Sequence, residues 1–118
     1  MLKNFLPSII LFSEENPIYL IDNGSKDNSI SFTRKYFSNI KIIKNNKNLG
    51  FSKGYNIGLK TIKEELICLI NSDVRVTKDW LKPIINLYKK YNIYVIQPKI
   101  KDEKKNNILN MQERLEEE

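Results

Sequence analysis

The chain has 118 residues, 20 Lys and Arg against 14 Asp and Glu, a formal charge of +6, one cysteine and no histidine. That length allows one domain with a modest core. The missing imidazole excludes Ser-His-Asp and Cys-His nucleophile pairs, a histidine base and a four-ligand structural zinc, while the lone Cys68 points to a reducing compartment.

The opening MLKNFLPSIILF carries Leu2, Phe5, Leu6, Ile9 and Ile10 at helical spacing and reads as an amphipathic helix. It has no small-residue cleavage site, Pro7 and Ser8 interrupt it, and no stretch of the chain approaches the roughly 20 apolar residues of a membrane span. Ile18-Tyr-Leu-Ile21 is the first strand candidate, and Ile30, Thr33 and Phe37 then recur on one helical face after a polar start at Ser25 to Asn28. A second strand is expected at Ile40–Ile43, followed by a helix with Phe51, Tyr55, Leu59 and Ile62 on one face. A third strand is expected at Leu66–Ile70. Thr77 is a plausible N-cap for a helix bearing Leu81, Ile84, Ile85 and Tyr88, in which Pro83 either kinks the helix or marks its first turn. Ile93–Ile96 is the fourth strand candidate.

The four runs start 22, 26 and 27 residues apart, with helical segments between them. This alternation predicts an α/β, Rossmann-like domain over residues 1–100, with a parallel sheet of about four strands flanked by helices and right-handed crossovers. Beyond it, residues 101–118 form a charged tail, expected to be an exposed helix from about Lys105 or disordered. In parallel sheets ligands sit at the carboxyl ends of strands, which directs attention to the residues just after each run.

The first strand ends in Asp22-Asn-Gly-Ser-Lys-Asp27. This is either a tight turn into a helix or a carboxylate set to accept a hydrogen bond from a ligand in the crevice. In Asn45-Asn-Lys-Asn-Leu-Gly-Phe-Ser-Lys-Gly-Tyr-Asn-Ile-Gly58, three glycines recur every four residues. Gly50 suits a turn into the helix, while Gly54 and Gly58 permit close backbone approach to a strand or to a ligand. The pattern is neither a dinucleotide fingerprint nor a Walker loop. The third strand ends in Asn71-Ser-Asp73, where a carboxylate either caps a turn or holds a hard divalent cation with phosphate oxygens completing the shell.

Taken together, D-N-G-S-x-D, N-L-G-F-x-x-G-x-N-x-G, an apolar strand ending N-S-D-V-x-V-T-x-x-W-L, and Q-P-K-I resemble the family 2 glycosyltransferases, the bacterial rhamnosyltransferase-type members most of all. The resemblance runs from about Phe5 to Ile100. It implies a GT-A fold, a nucleotide-diphosphate sugar donor (UDP- or dTDP-linked), a saccharide or lipid-linked acceptor, and a role in cell-envelope polysaccharide. On the matching positions, Asp22 corresponds to the aspartate that contacts the nucleotide base, and Asp27 to a second acid that caps a helix. Asn48, Gly50, Gly54 and Asn56 correspond to the segment lining the nucleotide pocket. Asn71-Ser-Asp73 corresponds to the family's D-x-D, so Asp73 would bind Mg2+ or Mn2+ and Asn71 would contact the donor in place of a carboxylate.

The resemblance also implies a strand ahead of Met1 and an acceptor half after Ile100 that holds the general base. Asp102 and Glu103 match no catalytic motif. The chain therefore reads as the middle of such an enzyme, truncated at both ends and inactive in isolation. The alternative is a non-catalytic truncated or degenerate domain acting as an interaction module through an uncovered sheet edge. Nucleic-acid binding is not expected, because arginine is scarce (Arg34, Arg75, Arg114) and no recognition motif occurs. Residues 1–98 carry 15 basic and 8 acidic side chains, mostly lysines set singly along the chain. That excess suits a soluble surface and, by analogy with the family, a cytoplasmic protein with a peripheral contact at the inner face of the membrane.

Overall fold

A computed structural model describes residues 2–102 and 108–109 of the chain. They fall into two compact units, Met1–Lys78 and Asp79–Glu118. Among the described residues no helix is long and apolar enough to cross a membrane.

The first unit opens with helix α1, Leu2–Phe12. Its polar Ser8 is buried beside the core residue Leu6 because the hydroxyl is used twice. Ser8 Oγ donates to the Phe5 carbonyl at 2.9 Å and accepts the Val76 N–H at 3.2 Å, fixing the 75–76 segment on the helix. Arg75 and Lys3 add cation–π contacts, Arg75 over Phe5 at 5.4 Å and Lys3 over Phe32 at 5.0 Å.

Strands β1, Tyr19–Asp22, and β2, Lys41–Lys44, pair in parallel with Tyr19 opposite Lys41 and Asp22 opposite Lys44. The connection between them is α2, Ser29–Tyr36. Its core-facing residue is Thr33, which is fully buried. Burying this hydroxyl is tolerable because Thr33 Oγ1 donates to the Ser29 carbonyl at 2.8 Å. Helix α3, Phe51–Leu59, lies against β1 through its small-residue face. A Cβ on Gly58 would come within 2.6 Å of Ile21 Cδ1, so only glycine lets helix and strand approach this closely.

Two of the four expected strands therefore form a parallel ladder, and two do not. Leu66–Ile70 and Ile93–Ile96 have no ladder partner among the described residues. A β-branched, apolar run favours extended backbone, but a strand also needs a neighbour for its N–H and C=O groups. Ile67 and Leu69 accordingly stay 40% and 55% exposed. The run is held at its end by Tyr55, whose hydroxyl donates to the Ile70 carbonyl at 3.2 Å. Burial raises the Tyr55 phenol above its ordinary value, which keeps that donor protonated.

In the second unit, α4 spans Leu81–Lys90 with Leu81 and Ile84 buried. It starts after Trp80 rather than at the expected cap Thr77, which places Pro83 in the first turn, where its missing N–H costs no helical bond. Strands β3, Ile100–Lys101, and β4, Ile108–Leu109, pair antiparallel. The rest of the tail lies outside the described residues.

Candidate functional site

The carboxyl end of β1 carries Asp22 and Asn23, and the two side chains have opposite environments. Asp22 is 4% exposed. Its Oδ1 accepts the Ser25 N–H at 3.2 Å, which turns the chain at Gly24, while its Oδ2 is buried with no hydrogen-bond partner among the described residues. A buried carboxylate oxygen is normally satisfied, and this one retains the capacity to accept a hydrogen bond.

Asn23 is instead saturated. Its Nδ2 donates to Asn48 Oδ1 at 3.1 Å and to the Gly50 carbonyl at 3.0 Å. Its Oδ1 accepts from Asn45 Nδ2 and from the Leu49 N–H, both at 3.2 Å. Asn45, buried directly after β2, also donates to the Gly54 carbonyl at 3.2 Å. Asn48 Oδ1 accepts the Gly50 N–H at 2.9 Å and so closes the turn into α3. Gly50 takes φ +79 there, with open space where a Cβ would stand. At Gly54 a Cβ would meet the Asn23 amide at 2.7 Å, so this glycine admits the brace side chain.

The structure thus gathers Asp22, Asn48, Gly50 and Gly54 into one cluster built on Asn23 and Asn45. Both amides lie inside the sequence motifs, yet their bracing role was not anticipated. Asn23 comes immediately after Asp22 and Asn45 immediately after β2, and polar amides at two adjacent strand ends are the signal that could have found them. No hydrogen bond ties Asn56, Asn71 or Asp73 to this cluster among the described residues, and all three are exposed. Asn71 belongs to a turn, its carbonyl accepting the Val74 N–H at 3.3 Å. Asp27 behaves as a capping acid. It accepts the Ser29 N–H at 3.0 Å, and bonding to Ser29 holds its carboxyl below the ordinary aspartate value.

A model of the family described as Glycosyl transferase family 2 matches residues 1–117. The chain belongs to that family. No curated protein and no solved structure matches it significantly. Family 2 membership gives a GT-A fold, of which the β1–β2 sheet and its helices are a part, and glycosyltransferase activity at the level of the family. Its members bind nucleotide-sugar donors and acceptors, often with a divalent metal. Against that requirement, no three His, Cys, Asp or Glu side chains converge among the described residues, so there is no all-protein cage. Asp73 does present an exposed carboxylate without an ion pair among the described residues. One such ligand fits a hard cation whose remaining positions are filled by phosphate oxygens and water.

Proposed function

We propose that this family 2 chain holds the nucleotide-diphosphate sugar of a hexosyl- or rhamnosyltransferase acting in cell-envelope polysaccharide synthesis, with Asp22 as the principal contact to the nucleotide. The observation that carries the reading is the buried, unpartnered Asp22 Oδ2 at the end of β1. A base N–H directed at this oxygen would form a charge-assisted hydrogen bond shielded from water. The Asn23 brace holds the 48–50 turn beside it, so the wall of the pocket is set before the donor arrives. Asn56 and Asn71 offer exposed amides to the donor. Asp73 would hold Mg2+ or Mn2+, which when bound neutralises the charge developing on the leaving diphosphate.

In this reading the transfer is a single in-line displacement at the anomeric carbon. The acceptor is a saccharide or a lipid-linked saccharide, and a carboxylate belonging to the acceptor-binding part of the enzyme takes its proton. The protein works in the cytoplasm at the inner face of the membrane, a placement supported by the basic excess of residues 1–98. The 118-residue chain binds the donor weakly and does not transfer sugar. Calorimetric titration with UDP- and dTDP-sugars, with and without Mn2+, tests this. Saturable binding that Asp22→Asn abolishes is expected. No binding of either nucleotide, or binding indifferent to Asp22→Asn, would overturn the assignment, and sugar transfer by the purified chain would overturn the claim of inactivity.

A second reading is favoured by one observation, the unpaired edge of β1 among the described residues. The chain would then be a non-catalytic module that pairs with another polypeptide along that edge.

A further inference from the structure

Beside α2, a concavity is lined by residues that the donor reading does not use. It is an open cleft of about 570 Å3 formed by Ser25 and Asp27 of the β1–α2 loop, Ile30, Ser31, Arg34 and Lys35 of α2, and Lys44 at the end of β2. Ser31, Arg34 and Lys35 stand three and four residues apart and so share one face of the helix. Three cations meet here against one carboxylate. Arg34 and Lys44 are exposed and make no ion pair among the described residues. Lys35 leans over the Tyr36 ring at 5.2 Å, an interaction that leaves its ammonium hydrogens available.

The one carboxylate is already engaged. Asp27 accepts the Ser29 N–H at the start of α2 and stays ionised, so it neutralises the cluster only in part. Ser31 Oγ donates inward to the Asn28 carbonyl at 2.9 Å, while the Ser25 hydroxyl has no hydrogen bond among the described residues and can donate into the cleft. Uncompensated like charges in one concavity are unfavourable unless an anion enters, and a guanidinium fork beside an ammonium and a hydroxyl matches the oxygens of a phosphate.

We propose that the cleft between α2 and the end of β2 is a phosphate-binding site, with Arg34 and Lys44 as its two main ligands and Lys35 and Ser25 completing it. The cleft adjoins the Asp22–Asn23 cluster, since Ser25 donates its N–H to Asp22 Oδ1 and Lys44 lies opposite Asp22 in the ladder, but its lining includes neither Asp22 nor Asn23 and the proposal does not depend on the donor reading. Its shallow, open shape suits a phosphate carried on a larger body as well as a free one, so the anion is either a soluble phosphate or diphosphate or the headgroup of an anionic lipid.

Amide chemical shifts of the full 118-residue chain, titrated with inorganic pyrophosphate, test the first source. Sedimentation with phosphatidylglycerol vesicles, against phosphatidylcholine vesicles, tests the second. Each is repeated on Arg34→Gln/Lys44→Gln and on Lys60→Gln/Lys63→Gln, which removes the same charge away from the cleft. Shifts centred on residues 25–35 and 44, weakened about tenfold in the first variant and unchanged in the second, support a soluble phosphate. Vesicle binding with the same variant dependence and no pyrophosphate response supports a headgroup. Equal weakening in both variants, or no response to either probe, overturns the proposal. All four substituted side chains are exposed, and Lys44→Gln alone serves if the double variant loses its fold.

Discussion

Asp22 Oδ2 is buried without a partner among the described residues while Oδ1 holds the Ser25 N–H, so this acceptor carries a polar-burial cost that the described fold does not offset. Asp22→Asn keeps the Oδ1 contact and removes the charge. The folded chain should be as stable as the parent or more stable by about 1 kcal/mol in urea unfolding, while losing donor binding. Asn23 is the opposite case, because all four of its bonds lie within the protein. Asn23→Ala removes one of the two acceptors of the buried Asn45 amide and frees the 48–50 turn from β1, and should cost about 2–4 kcal/mol in the same experiment. The two glycines beside it separate strain from crowding. Gly50→Ala meets open space but must hold φ +79, at about 1–2 kcal/mol, whereas Gly54→Ala pushes directly on the Asn23 amide and should disturb the brace itself. Side-chain amide shifts of Asn23 and Asn45 would register the second effect and not the first. Asp22 was legible as a candidate because its carboxylate closes the first apolar run, where ligands of parallel sheets sit. Asn23 was not, since an Asn in a turn has an adequate local explanation.

Helix α2 shows how an element's start is set by a neighbour rather than by its formal cap. Asn28 makes no side-chain cap bond, and Asp27 supplies the acceptor for the Ser29 N–H instead. Since Asp27 titrates below its ordinary 3.8 in the folded chain, the stability it contributes is present above that pH and fades as pH falls through the lowered value. Asp27→Asn should therefore flatten the acid limb of helicity measured by circular dichroism between about pH 5 and 2, and leave the neutral region little changed. The helices were legible because their apolar faces recur with a 3.6-residue period whatever lies outside the chain. Strand runs carry no such guarantee. The Ile40–Ile43 run supplies most of β2, Lys41–Lys44, because β1 lies alongside it, whereas Leu66–Ile70 has the same apolar character and no ladder partner among the described residues. Composition reports the readiness of a segment to be a strand, and pairing decides whether it becomes one.

At the scale of the molecule, the first unit presents two features that belong together physically. β1 uses only one of its edges among the described residues, and the run 66–70 leaves Ile67 and Leu69 exposed at 40% and 55%. Unpaired edge groups and exposed apolar side chains both recruit other chains, and neither is guarded by a charge within Leu66–Ile70. The lysines that confer +6 lie elsewhere, so their mutual repulsion slows association without blocking these contacts. The purified chain should therefore self-associate as its concentration rises, and more so as added salt screens the repulsion. Leu69→Lys places a charge in the middle of the apolar run and should shift the sedimentation-velocity distribution toward the monomer without lowering the unfolding midpoint, since Leu69 is more than half exposed. A control substitution of similar size, Leu11→Lys, removes a leucine at least as exposed from α1, away from the unpaired run. If it restores the monomer as well as Leu69→Lys does, general charge rather than the unpaired run governs the association.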